Sequence, residues 1–180
     1  MSTIQEIIKI LILRPDDFTK THAHTAIAEI MRQEATSAQI AAFLVSLKLQ
    51  NKDTDPEIVT SCVNSMLDFA VELDFSMYDG LQDSLVDIVG TGGDGMNTFN
   101  VSTTSAIVIA GAGCKVAKFG NRSASGRCGA ADILEKVGCD IINLKASRVP
   151  HIIDSSNFCF LFAPTFHPAV KNAAAPRREI

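Results

Sequence analysis

Residues 86–95 read VDIVGTGGDG, a short β-branched run that empties into glycines with one aspartate among them. The pattern predicts a strand followed by a tight loop. Gly90, Gly92 and Gly95 satisfy G-x-G-x-x-G, and Gly90 with Gly95 satisfies the first part of G-x-x-x-x-G-K-[ST]. The second pattern needs lysine and then a hydroxyl residue to reach phosphates and magnesium, and Met96 and Asn97 stand there instead. The first needs a helix to open at once and an acid about 20 residues on, at the end of the next strand. Residues 97–100 are poor helix openers, and the next strand is read as ending in Lys118. Neither nucleotide pattern fits.

A different arrangement remains. Glycine N–H groups can approach an anion closely, and Asn100-Val101-Ser102-Thr103 falls where the next helix should begin, adding small hydroxyls at a helix start. An ordinary turn and helix cap is the plain alternative. The next expected strand, 115–118, runs into KFGNRSASG (118–126), a second polar loop with two basic residues, Asn121, Ser123 and Ser125, again ahead of a helix. Two such loops after adjacent parallel strands would meet at the carboxyl edge of one sheet, where open α/β folds bind ligands. Together they predict one ligand with several phosphates.

Working outward, the texture on the two sides of Leu85 differs. Toward the N-terminus, Ile4, Ile7, Ile8 and Leu11, then Ile27, Ile30 and Met31, then Ile40, Phe43, Leu44 and Leu47 recur at helical spacing. Thr36 with Gln39 fits a capping box, and Asp55-Pro56-Glu57 reads as a helix start. Four helices ending near Leu73 are expected. From Leu85 onward, expected strands at 86–89, 115–118, 140–142 and 158–162 alternate with expected helices at 102–112, 128–137, 147–155 and 168–179. The fold class is therefore α/β: a small all-helical domain over 1–75, then the first part of a larger α/β domain over 76–180 with a mainly parallel sheet flanked by helices. The chain ends at PRREI without a stop signal, so the α/β domain is expected to be truncated on its C-terminal side.

Bulk properties narrow the function. The chain has 180 residues, 47% of them hydrophobic and 20% charged, as in soluble globular proteins. A net charge of −4 speaks against nucleic acid as a partner, which would need clustered Lys and Arg. Five cysteines without C-x-x-C spacing suggest neither a disulfide framework nor zinc, and a reducing, cytoplasmic setting is expected. The runs IIKILIL (7–13) and AIVIAGAG (106–113) are too short to span a membrane, and the latter is expected to be a buried helix. Cys128 reads as small buried filler rather than a reactive thiol, and His22 with His24 as solvated surface rather than a metal pair.

DIVGTGGDG (87–95), FNVST (99–103) and KFGNRS (118–123), followed by GAADILEKVG (129–138) and FAPTFHPAVKN (162–172), resemble the anthranilate phosphoribosyltransferase family over nearly the whole chain. Pyrimidine nucleoside phosphorylases share the fold and similar loops, but match the glycine loop only in part. The resemblance implies transfer of a phosphoribosyl group from phosphoribosyl pyrophosphate to the amine of anthranilate, in tryptophan synthesis. Carried over by position, it implies that Gly90, Gly93, Asp94, Thr98, Asn100, Val101, Ser102 and Thr103 line the phosphoribosyl pyrophosphate site, with Ser102 ligating Mg2+. Lys118, Gly120, Asn121, Arg122, Ser123, Ser125 and Gly126 would hold the remaining phosphate and ribose oxygens. Gly90, Asn121, His167 and Arg177 would face anthranilate, whose carboxylate suits an arginine fork. No side chain is assigned as acid or base.

The same resemblance implies a homodimer through the N-terminal helices. It places the acidic pair for a second magnesium beyond residue 180, so the chain alone is expected to show no turnover. Departures from the family pattern are Phe119 in place of histidine, Ala130 in place of serine, and the proline before Arg177 one residue later than usual. Two competing readings are a non-catalytic nucleic-acid-binding relative of the same fold and a helical interaction module.

Overall fold

A computed structural model describes residues 3–90, 99–123 and 128–180. It divides into two compact units, one of residues 1–70 with 167–180 and one of residues 71–166.

The first unit is helical. It holds α1 (Ile4–Leu13), α2 (Lys20–Met31), α3 (Ser37–Leu49) and α4 (Pro56–Leu67), the four helices expected. Their starts follow local chemistry. Thr3 with Glu6 and Thr36 with Gln39 form reciprocal capping boxes, and Asp55 Oδ1 accepts the N–H groups of Glu57 (2.9 Å) and Ile58 (3.4 Å) ahead of Pro56. The apolar stripes face inward as one core of Ile4, Ile7, Leu11, Ile27, Ile30, Ile40, Phe43 and Ile58. His22 is not merely solvated: its Nδ1 lies 3.2 Å from the Thr19 backbone N–H and helps to start α2.

The second unit carries a three-stranded parallel sheet in the order β1 (Leu85–Val86), β2 (Lys115–Gly120), β3 (Phe158–Phe162). Between β1 and β2 lies α5 (Val101–Gly111); between β2 and β3 lie α6 (Ala130–Lys136) and α7 (Val149–Ser156). A short α8 (Ala163–Phe166) follows β3. This is the α/β architecture with a parallel sheet read from the sequence. Residues 167–180, read on sequence as the end of the α/β domain, form a 3-10 segment and α9 (Ala174–Glu179) that pack with the helical unit. Asn172 fixes them there, donating from Nδ2 to the carbonyls of Ile30 (3.3 Å) and Met31 (2.9 Å) at the end of α2.

Three expectations change. The ladder of β1 stops at Val86 rather than 89. Residues 140–142 form no strand, because Asp140 Oδ1 accepts the Asn143 N–H (3.2 Å) and closes a turn while Ile141 packs inward. The run at 106–113 is helical, but only its Thr103, Ala106 and Ala110 face is buried; Ile107 and Val108 are 48% and 64% exposed. Among the described residues no helix is long and apolar enough to cross a membrane.

Candidate functional site

The carboxyl ends of β1 and β2 and the starts of α5 and α6 gather in the second unit. Gly90 lies beside the first turn of α5, since a Cβ placed on it would stand 3.8 Å from Ser102 Oγ. Asn100 caps that helix: its Oδ1 accepts the Thr103 N–H (2.9 Å) and the Ser102 hydroxyl (3.2 Å). The same side chain reaches the second loop, where Nδ2 donates to the Cys128 carbonyl (3.2 Å). One amide therefore joins the exit of the glycine loop to the end of the 118–126 loop. Cys128 is exposed, not buried filler, and takes part through its backbone.

Thr103 is 1% exposed, and its hydroxyl has no partner among the described residues. A buried hydroxyl without a hydrogen bond is costly unless something supplies one. It stands at the start of an 11-residue helix, whose N–H groups and dipole favour an anion.

Lys118 is 2% exposed and donates from Nζ to the Ile88 carbonyl (2.5 Å). Burial pushes its pKa down from the ordinary lysine value, and the charge of Asp87 pulls it partly back. The ammonium thus grips the chain leaving β1. Gly120 is needed for close packing, because a Cβ there would meet Phe160 Cε2 at 2.8 Å.

Asn121 and Arg122 are exposed and Ser123 half-buried. Arg122 is committed to Glu135, at 2.5 Å from Nη2 and 3.3 Å from Nε, and its guanidinium lies 4.7 Å from the Phe162 ring centroid. Asp132 Oδ2 accepts from the N–H groups of Ser123 (3.1 Å) and Gly129 (2.9 Å). Phe119, in place of the expected histidine, is 37% exposed.

Of the residues singled out on sequence, Gly90, Asn100, Val101, Ser102, Thr103, Lys118, Gly120, Asn121, Arg122 and Ser123 belong to this one unit. Gly93, Asp94, Thr98, Ser125 and Gly126 lie outside the described residues. His167 and Arg177 belong to the helical unit. There His167 Nε2 donates to the Met66 carbonyl (2.8 Å), its half-buried ring leaving Nδ1 unpartnered among the described residues, and Arg177 is exposed on α9. Sequence reasoning missed Asp87, Asp132 and Glu135. Only Asp132 carried a local signal, an acid three residues after a glycine that opens a helix.

Comparison with known proteins agrees with this architecture. Residues 5–70 match the helical bundle domain of the glycosyl transferase family, and residues 82–180 match that family's a/b domain. An anthranilate phosphoribosyltransferase of Pseudomonas savastanoi pv. phaseolicola is 47% identical over 164 residues, covering 91% of this chain and 45% of that protein. The crystal structure of anthranilate phosphoribosyltransferase from Thermus thermophilus superposes with a TM-score of 0.83 at 36% identity, over 96% of this chain and 50% of that one. The Saccharomyces cerevisiae enzyme in complex with PRPP and Mg gives a TM-score of 0.84 at 30% identity, over 98% and 50%. The chain thus spans about half the length of the relatives it matches. With both of its domains represented in order, the chain belongs to the glycosyl transferase family, in which the relatives it matches are anthranilate phosphoribosyltransferases.

Proposed function

We propose that this chain supplies the phosphoribosyl pyrophosphate-binding part of an anthranilate phosphoribosyltransferase, whose whole protein joins the anthranilate amine to C1′ of the ribose and expels pyrophosphate. The observation that carries this reading is the convergence at α5: Gly90 beside Ser102, and the buried Thr103 hydroxyl, without a partner among the described residues, at a helix N-terminus. Aromatic amines are weak nucleophiles, so catalysis must act chiefly on the leaving group. N–H donors aimed at the pyrophosphate stabilise the charge that develops as the C1′–O bond breaks. No covalent nucleophile is required.

Gly90, Gly93, Asp94, Thr98 and residues 100–103 are assigned to the pyrophosphate, and residues 118–126 to the remaining phosphate and ribose. Asn121, His167 and Arg177 are assigned to anthranilate. Among the described residues no three His, Cys, Asp or Glu side chains converge as a protein metal cage would. That fits magnesium, which commonly arrives on phosphate oxygens and takes few protein ligands. Ser102 is the proposed one, and the ion would neutralise charge on the departing pyrophosphate.

A homodimer through the helical unit is also part of the reading. Val59, Val63 and Leu67 form a stripe at i, i+4, i+8 on α4, 40%, 47% and 61% exposed. A cytoplasmic setting accords with three exposed unpaired thiols, Cys114, Cys128 and Cys139. Nucleic acid is the disfavoured alternative on the net charge of −4.

Calorimetric titration of phosphoribosyl pyrophosphate into the chain decides between them. Saturable binding that needs magnesium and is competed by pyrophosphate is expected. Salt-sensitive DNA binding with no response to phosphoribosyl pyrophosphate would overturn the reading. Light scattering on the wild type and Val63→Lys checks the dimer.

A further inference from the structure

One carboxylate joins the arm that leaves β2 to the arm that enters α6. Asp132 Oδ2 accepts from Ser123 N–H at 3.1 Å and from Gly129 N–H at 2.9 Å. The arms lie so close that a Cβ on Gly129 would stand 2.2 Å from the Ser123 nitrogen and 2.7 Å from the Arg122 carbonyl carbon. Around this clasp the neighbouring residues are fixed as well. The Asn121 carbonyl accepts the Ala131 N–H (3.3 Å), and Arg122 is bound by Glu135, one turn beyond Asp132 on α6. Each of Asn121, Arg122 and Ser123 is thereby tied to α6. On the far arm, the Cys128 carbonyl is held by Asn100 at the start of α5.

We propose that Asp132 is a positioning residue: without touching ligand, it fixes Asn121–Ser123 against the first turn of α6, in the place from which that segment meets a phosphate-bearing substrate. For its ligand the inference rests on the function proposed above; its geometry stands independently. A carboxylate accepting from backbone N–H groups makes charge-assisted bonds, stronger than neutral ones. A segment held in its binding geometry beforehand need not be ordered when ligand arrives, so affinity rises without a new contact.

The competing role is that of a helix cap, which acts on stability alone. Asp55 provides the comparison, because its carboxylate accepts two N–H groups at the start of α4 in the other unit. The experiment compares the wild-type chain with Asp132→Ala, Asp132→Asn and Asp55→Ala. Two quantities are measured: affinity for phosphoribosyl pyrophosphate with magnesium by calorimetry, and amide exchange at Ser123 and Gly129 by NMR. Asp132→Ala is expected to weaken phosphoribosyl pyrophosphate binding by about tenfold or more and to speed exchange at those two amides. Asp132→Asn, which keeps an acceptor oxygen, is expected to recover most of both. Asp55→Ala is expected to lower stability and bind as the wild type does.

Binding by Asp132→Ala equal to that of Asp55→Ala would overturn the proposal. Should the wild-type chain bind no phosphoribosyl pyrophosphate, the phosphate reading falls and exchange alone decides the positioning role. Unchanged exchange at Ser123 and Gly129 in Asp132→Ala then overturns it, and faster exchange confined to the loop arms sustains it.

Discussion

Lys118 places its buried ammonium 2.5 Å from the carbonyl oxygen of Ile88, at the point where β1 has already left the backbone ladder. The ladder's last pair is Val86 with Val116. Beyond it, side chains take over: Asp87 Oδ1 accepts the Phe119 N–H (3.2 Å) and Lys118 reaches Ile88. The backbone ladder between β1 and β2 therefore ends before Gly90, and side-chain bonds continue the pairing on the carboxyl side, the edge at which open α/β folds bind ligands.

The burial of Lys118 gives a pH signature. Its folded pKa lies below the ordinary 10.5, so the folded state binds fewer protons than the unfolded state between that lowered value and 10.5. The corresponding stability is present above 10.5 and lost as pH falls through the folded pKa. Wild type should therefore gain stability relative to Lys118→Met between pH 8 and pH 11, measured by urea unfolding at each pH. Asp87→Asn removes the charge that pulls the pKa back up and should lower it further, read from the Nζ signal by NMR. A Lys118 titrating at or above 10.5 would refute this account.

Asn100 serves two masters, and two substitutions separate them. Asn100→Ala loses the α5 cap and the bond to Cys128, for about 1–2 kcal/mol of stability. Asn100→Asp keeps an oxygen for the Thr103 N–H but turns a second one toward the Cys128 carbonyl. It should retain the helix cap while speeding amide exchange in the 128–130 segment. Equal exchange there in Asp and wild type would show that the bridge contributes nothing.

What was legible in the sequence was local. Thr36 with Gln39, and Asp55 with Pro56, announce helices because cap and partner lie within three residues. The two-loop reading was available because each loop follows its strand directly. Arg122 is a different case: its ion pair carries no local signal, because only the fold brings Glu135, 13 residues on, to its guanidinium. His167 likewise stood in a family motif, yet its bond to Met66 spans 101 residues. The expected strand at 140–142 failed for a short-range reason, the Asp140 turn, which three apolar-flanking residues could not reveal by periodicity.

Two glycines should differ sharply when a methyl group is added. At Gly129 the new Cβ meets backbone, 2.2 Å from Ser123 N and 2.7 Å from Arg122 C, and neither can move without displacing the loop. At Gly120 it meets the edge of the Phe160 ring at 2.8 Å, which can pivot. Gly129→Ala is expected to cost about 3 kcal/mol or more and Gly120→Ala about 1–2 kcal/mol, by urea unfolding. The reverse order would mean that the 123–129 contact is looser than described.

The thiols should sort by burial. Cys114, Cys128 and Cys139 are exposed, Cys62 is half-buried with its pKa raised, and Cys159 is buried in β3 with its pKa pushed up to about 12. The thiolate is the reactive form, so at pH 8 roughly one Cys159 in ten thousand is reactive even before access is considered. A disulfide reagent at pH 8 should label the three exposed cysteines quickly, Cys62 slowly, and Cys159 only on unfolding, with sites read by peptide mass. Raising the pH to 9.5 should speed Cys62 but leave Cys159 unlabelled, because its thiol remains protonated and the sheet still covers it. Labelling of Cys159 at the rate of the exposed three would show that β3 opens in the folded chain.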